Sequence, residues 1–213
     1  SLGSKQVVSI NLPQLAYKSG NDYDLLMKNT KKVIDAAVEI FCIKEDLLNR
    51  SYLPFSYQTP VDPNDSSKRG PPFVDLDDLP YVIGLVGLNE CIEYLYKLPM
   101  HETEDGWLFG LQYVTDIKQY ILSLDTKFSV SLARTPAEST AQRFAICDCF
   151  NINDNIKNAA RSVVKGDLNL AINTFGNTSD LPIYYSNGTH VDVAANINIF
   201  EKIKYEDPFF VVL

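Results

Sequence analysis

A chain of 213 residues that is 46% hydrophobic and 22% charged fits one globular domain with a core of its own. Its net charge of -8, with Lys31-Lys32 and Lys68-Arg69 as its most basic stretches, argues against a face that neutralises nucleic-acid phosphates. No window approaches the roughly 18 apolar residues of a membrane span and Ser1-Leu2-Gly3-Ser4 lacks the marks of a signal peptide, so no membrane partner and a cytoplasmic location are expected.

Short β-rich runs followed by helical periodicity recur along the chain, the mark of an α/β fold with parallel strands. The first run, Val7-Val8-Ser9-Ile10-Asn11-Leu12, is closed by Pro13, which cannot donate to a ladder, and Leu15-Ala16 read as an irregular exit. Residues 22 to 49 place Leu25, Leu26, Val33, Ala36, Ala37, Ile40 and Phe41 at three- and four-residue intervals, which predicts a long amphipathic helix capped by Asn21 or Asp22. From about 50 to 80, Pro54, Pro60, Pro63, Pro71 and Pro72 with the Asn64-Asp65-Ser66-Ser67 cluster predict a loop excursion.

Tyr81-Val82-Ile83-Gly84-Leu85-Val86-Gly87-Leu88 is apolar throughout, as a strand buried on both faces would be, and it runs into helical spacing from Asn89. A helix is predicted over Thr103 to Lys127, a strand over Phe128 to Ala133, then a turn at Arg134 to Ser139 into a helix through Ile146. Ile183 to Asn187 is the last β-like segment. The apolar ending Phe209-Phe210-Val211-Val212-Leu213 points to a truncated or partnered chain. Cys42, Cys91, Cys147 and Cys149 are too scattered for a disulfide framework or a zinc site and are expected to be buried free thiols; no metal site is expected.

Thr135-Pro136-Ala137-Glu138-Ser139-Thr140 combines a helix start with small residues at a strand's carboxyl end. Pro136 suits the first helical position, Thr135 the N-cap, and Glu138 completes a capping box. A cap needs nothing more, yet the free N–H groups of Ala137, Glu138, Ser139 and Thr140 could also donate to a phosphate. Polar residues at other strand ends, Asn11, Asn89, Asn187 and His190, are candidates for the same site, with packed or self-satisfied turns as the plain alternative. Walker A, G-x-G-x-x-G, H-E-x-x-H and G-x-S-x-G patterns do not occur.

Four motifs taken together resemble the anaerobic (class III) ribonucleoside-triphosphate reductases: Val7 to Pro13; Ile83 to Glu90; Thr135 to Ser139 with Arg143-Phe144 and Asp148 behind it; and Tyr184 to Val191. The resemblance implies an α/β fold forming about half of a ten-stranded barrel, itself two antiparallel five-stranded halves, with residues 1 to 213 as one domain. It implies that the Thr135 to Thr140 turn binds the phosphates of a ribonucleoside triphosphate, with Ala137 where the family often has Ser, and that Asn11, Asn89, Asn187 and His190 lie in the substrate region. It places no catalytic residue in this chain: the finger-loop cysteine, the glycyl radical and a structural zinc would lie outside it, with formate or another reductant used by the complete enzyme. The partners implied are the remaining half of the reductase or a second subunit, or a further copy. A noncatalytic scaffolding descendant of the reductase is the alternative.

Overall fold

The computed structural model describes residues 3–50, 58–72, 74–134, 138–174 and 183–185. Its centre is a three-stranded parallel sheet in the order β1 (Gln6–Asn11), β4 (Tyr81–Val86), β5 (Val130–Arg134). Registers Asn11↔Val86 and Leu85↔Arg134 bring all three carboxyl ends to one edge. β4 is the middle strand and every one of its residues is buried, as its unbroken apolar run requires.

Helix α1 (Leu12–Ser19) follows β1 without a loop. Here the structure corrects the sequence reading: Pro13 starts a helix instead of merely ending a strand, because a missing N–H costs nothing in a first turn. Asn11 is the N-cap, its Oδ1 accepting from the Gln14 N–H at 3.2 Å. Helix α2 (Tyr23–Arg50) matches the predicted long helix, with Asp22 Oδ1 accepting from the Leu25 N–H at 2.9 Å. The described part of the proline-rich stretch holds a small antiparallel hairpin, β2 (Val61–Asp62) with β3 (Asp65–Arg69).

Helix α3 (Leu88–Tyr96) leaves β4 through Gly87, and a 3-10 turn over Met100–Glu102 leads to α4 (Glu104–Leu122). Thr103 caps α4 through the Gly106 N–H at 3.3 Å, and the helix ends five residues before the expected Lys127. Helices α5 (Glu138–Cys149), α6 (Asp154–Val163) and α7 (Leu168–Thr174) follow, the last two unforeseen. Strand β7 (Ile183–Tyr184) pairs antiparallel with β6 (Lys165–Gly166), so it lies outside the parallel sheet.

Two cores result. One joins Ile10, Ile83, Leu85 and Leu132 of the sheet to Leu26, Ile34 and Phe41 of α2 and Tyr113, Val114 and Ile117 of α4. The other lies at the strands' carboxyl ends, where Tyr17, Val86, Ala141, Ala145, Cys149, Ile156 and Tyr185 meet. The amino-terminal segment is tied down by Lys5, whose Nζ lies 3.0 Å from Glu45 Oε2, an oxygen that also accepts from the Tyr81 hydroxyl at 2.7 Å. Cys91 and Cys149 are buried as expected, whereas Cys42 and Cys147 are exposed because their helices turn those positions outward.

Candidate functional site

The carboxyl ends of β1 and β4 approach closely because of two residues. Gly87 has φ 77°, a left-handed conformation that side chains resist, and a Cβ there would sit 2.5 Å from Pro13 Cγ. The turn after β4 therefore nests against the turn after β1. Directly behind these turns sits Asp148 of α5, wholly buried.

Asp148 is the hub of a polar network. Its Oδ2 accepts from Asn11 Nδ2 at 2.7 Å and from the Tyr185 hydroxyl at 3.0 Å, and its Oδ1 accepts from Gln14 Nε2 at 2.6 Å. The Tyr185 and Tyr17 hydroxyls are 3.1 Å apart. Since Tyr185 gives its one proton to Asp148, Tyr17 must donate to Tyr185. Three donors on one carboxylate satisfy most of its lone pairs, which is what a buried charge requires. Burial pushes the Asp148 carboxyl above its ordinary value, and the bonds from Gln14, Asn11 and Tyr185 pull it back only in part. Tyr17 and Tyr185 are held far above an ordinary phenol, chiefly by burial, and stay neutral. Burial likewise pushes the Cys149 thiol up to about 12, which keeps it protonated at neutral pH.

Glu90, in the first turn of α3, is also fully buried, and its charge bears on Tyr17. Neighbouring Asn89 faces elsewhere: its Oδ1 accepts from the Met100 N–H at 2.9 Å and so secures the turn before α4. Of the sequence-predicted site residues, Asn11 joins the Asp148 network, while Asn89 holds its own turn. Ser139 is exposed and Thr140 half-buried in the first turn of α5, which opens just past the carboxyl end of β5. Glu138 begins that helix. Thr135, Pro136, Ala137, Asn187 and His190 lie outside the described residues.

Sequence reading missed Gln14, Tyr17, Tyr185 and the centrality of Asp148. One signal was present: Ala141, Ala145 and Asp148-Cys149 recur at helical spacing, which turns the carboxylate to the buried face. A groove of about 800 Å³ between the starts of α2 and α4, lined by Tyr23, Tyr96, Asp105 and Phe109 among others, is open and contains none of these residues. The Asp148 region is the better candidate, because buried ionisable groups from separate elements converge there.

Comparison with known proteins decides the family. The family model for anaerobic ribonucleoside-triphosphate reductase matches residues 1–213. The chain belongs to this family. No curated protein matches it. Among solved structures it resembles the anaerobic ribonucleotide reductase from Thermotoga maritima with dATP bound in the specificity site, at 16% identity and a TM-score of 0.62, over 97% of this chain and 32% of that one. The same reductase with glycerol in the active site gives 16% identity and a TM-score of 0.60, over 97% of this chain and 31% of that one. With citrate in the active site the figures are 20% and 0.56, over 72% and 28%. These likenesses concern the fold, and the chain spans about a third of the length of the first of the reductase structures it matches.

Proposed function

We propose that this chain is the part of an anaerobic ribonucleoside-triphosphate reductase that holds the substrate's phosphates. The observation that carries the reading is the placement of α5: it opens at Glu138, just past the carboxyl end of β5, in a parallel sheet whose other strands end at the same edge. Ligands of open parallel sheets bind at that edge, and a helix start offers N–H groups and a positive dipole end to an anion.

In this reading the N–H groups from Ala137 to Thr140 and the Ser139 and Thr140 hydroxyls hold the phosphates, with Thr135 and Glu138 in the turn that presents them. Asn11, Asn187 and His190 belong to the surrounding substrate region. Asn89 borders it at the start of α3 and holds the turn before α4 through the Met100 N–H. Backbone donors suit this task because they are fixed before the ligand arrives and lose little freedom on binding.

The ribose chemistry falls to the rest of the reductase, which supplies the thiyl and glycyl radical positions, the reductant and the zinc site. Among the described residues no three His, Cys, Asp or Glu groups come together to hold a metal ion, so these residues do not fit a zinc site. We infer that residues 1–213 fold as one unit, contribute half of the ten-stranded barrel, and pair through the edges of β1 and β5 with the remaining half or a second subunit. No helix among the described residues is long and apolar enough to cross a membrane, and a cytoplasmic site of action fits a nucleotide substrate.

The test is calorimetric titration of a ribonucleoside triphosphate and of the matching unphosphorylated nucleoside into the chain. Saturable binding of the triphosphate, weakened severalfold by Ser139→Ala or Thr140→Ala, supports the reading. Equal affinity for the two ligands, or no binding of either, removes it.

A further inference from the structure

Tyr185 touches α5 at both ends. Its backbone N–H donates to the Ala141 carbonyl at 3.3 Å in the opening turns, and its hydroxyl reaches Asp148 Oδ2 at 3.0 Å in the last turn. Those two attachment points are seven residues apart, about 10 Å along a helix axis. Residue 185 thus lies along the helix as a strut. At the far end the same carboxylate takes Asn11, at the exit of β1, and Gln14, in the first turn of α1. One side chain thereby closes a frame of β1, α1, α5 and the segment at β7.

The geometry points to Asp148 as a positioning residue of the nucleotide site: by clamping Tyr185, Asn11 and Gln14 it fixes the axis of α5, and with it the aim of the first-turn amides toward the strand ends. This rests on the proposal that the start of α5 binds phosphate. A helix held at one end can pivot, whereas one held at both ends cannot.

The polarity of the frame separates positioning from packing. All three of Asp148's partners are donors, so Asp148→Asn keeps the shape but sets an NH₂ group against Asn11 Nδ2 or, with the amide turned over, against Gln14 Nε2. Exchanging both residues, Asn11→Asp with Asp148→Asn, restores the match. The carboxylate introduced at position 11 still caps α1, since Asp and Asn cap equally well, and it accepts from the amide introduced at position 148. The oxygen of that amide keeps the Gln14 bond, while its NH₂ group also donates to the Tyr185 hydroxyl, which turns its own proton to Tyr17. Net charge is unchanged.

The experiment uses the full chain and four proteins: wild type, Asp148→Asn, the double exchange, and Tyr185→Phe, which removes one hydroxyl and keeps the ring. Amide hydrogen exchange is read without ligand, and triphosphate affinity is read at a temperature where circular dichroism shows every variant folded. Asp148→Asn and Tyr185→Phe are expected to speed exchange at 141 to 144 and to weaken triphosphate binding about tenfold each, the scale of one hydrogen bond to a charged group. Amides in the middle of α2 and α4 should not change. The double exchange should recover the exchange rates at 141 to 144 to within about threefold of wild type, and this recovery is read from exchange alone because Asn11 borders the substrate region. Variants with a lowered melting temperature but wild-type exchange in α5 and wild-type affinity would overturn the inference and leave Asp148 a plain structural tie. If wild type binds no triphosphate, the proposed function fails, and a normal exchange pattern in α5 then removes the clamp separately.

Discussion

Replacing Gly87 with Ala tests how the strand ends are brought together. The residue sits at φ 77°, where an L side chain costs about 1–2 kcal/mol. The added Cβ would lie 2.5 Å from Pro13 Cγ and 2.7 Å from its Cδ. Neither is the end of a flexible chain, so the β1 to α1 turn must move, at the roughly 1–3 kcal/mol typical of overpacking. The reduced freedom of the unfolded chain returns about 0.4–1 kcal/mol. A net loss of about 2–4 kcal/mol is expected. In urea titration followed by circular dichroism, with a slope of about 1–3 kcal/mol per molar, the midpoint should fall by roughly 1–2 M. Gly87→Ala in a Pro13→Ala background is the control, because it removes the Cγ and Cδ that the added Cβ would meet and leaves only the conformational cost. An equal shift for Gly87→Ala in the two backgrounds would refute the Pro13 contact as the reason for a glycine at 87.

Asn89→Ala strands the buried Met100 N–H and should cost about 1–3 kcal/mol by denaturant midpoint, with triphosphate affinity unchanged if the amide serves only its turn. Glu45 is pushed up by burial, but the bonds from Tyr81 and Lys5 outweigh that and hold its carboxyl below the ordinary 4.5. Its folded value being depressed, Glu45 contributes stability above its unfolded value that is lost as pH falls through the folded one. Glu45→Gln should therefore flatten the decline in melting temperature on acidification below about 4.5. Asp148 has the opposite sign: its raised folded value gives stability at low pH that is lost as pH rises above 3.8 through that value. The gap in melting temperature between wild type and Asp148→Asn should narrow as pH rises through that range.

Much of the fold is legible where periodicity is unambiguous. The 28-residue α2 and the wholly apolar β4 follow from spacing and composition, because burial on one helix face or both strand faces leaves a direct imprint. Pro13 misleads because the same missing N–H that ends a ladder also suits a first helical turn. Helix α6 escapes notice since its buried face is built from Ala159 and Ala160 as much as from Ile156 and Val163, a thin apolar signal over ten residues. The site divides in the same way. A strand-to-helix turn is a local feature and can be read, whereas the Asn11 to Asp148 bond joins residues 137 apart and has no local trace. In the sequence Asp148 stands only as part of a motif, without a partner.

Titration of a ribonucleoside triphosphate against its unphosphorylated nucleoside is the most direct measurement of the central claim, that the start of α5 holds the substrate's phosphates. The account predicts saturable triphosphate binding at least about tenfold tighter than the nucleoside's, the scale of one or more charge-assisted hydrogen bonds, and weakened by Ser139→Ala. Affinity indifferent to the phosphates, or untouched by changes at Ser139 and Thr140, would contradict it.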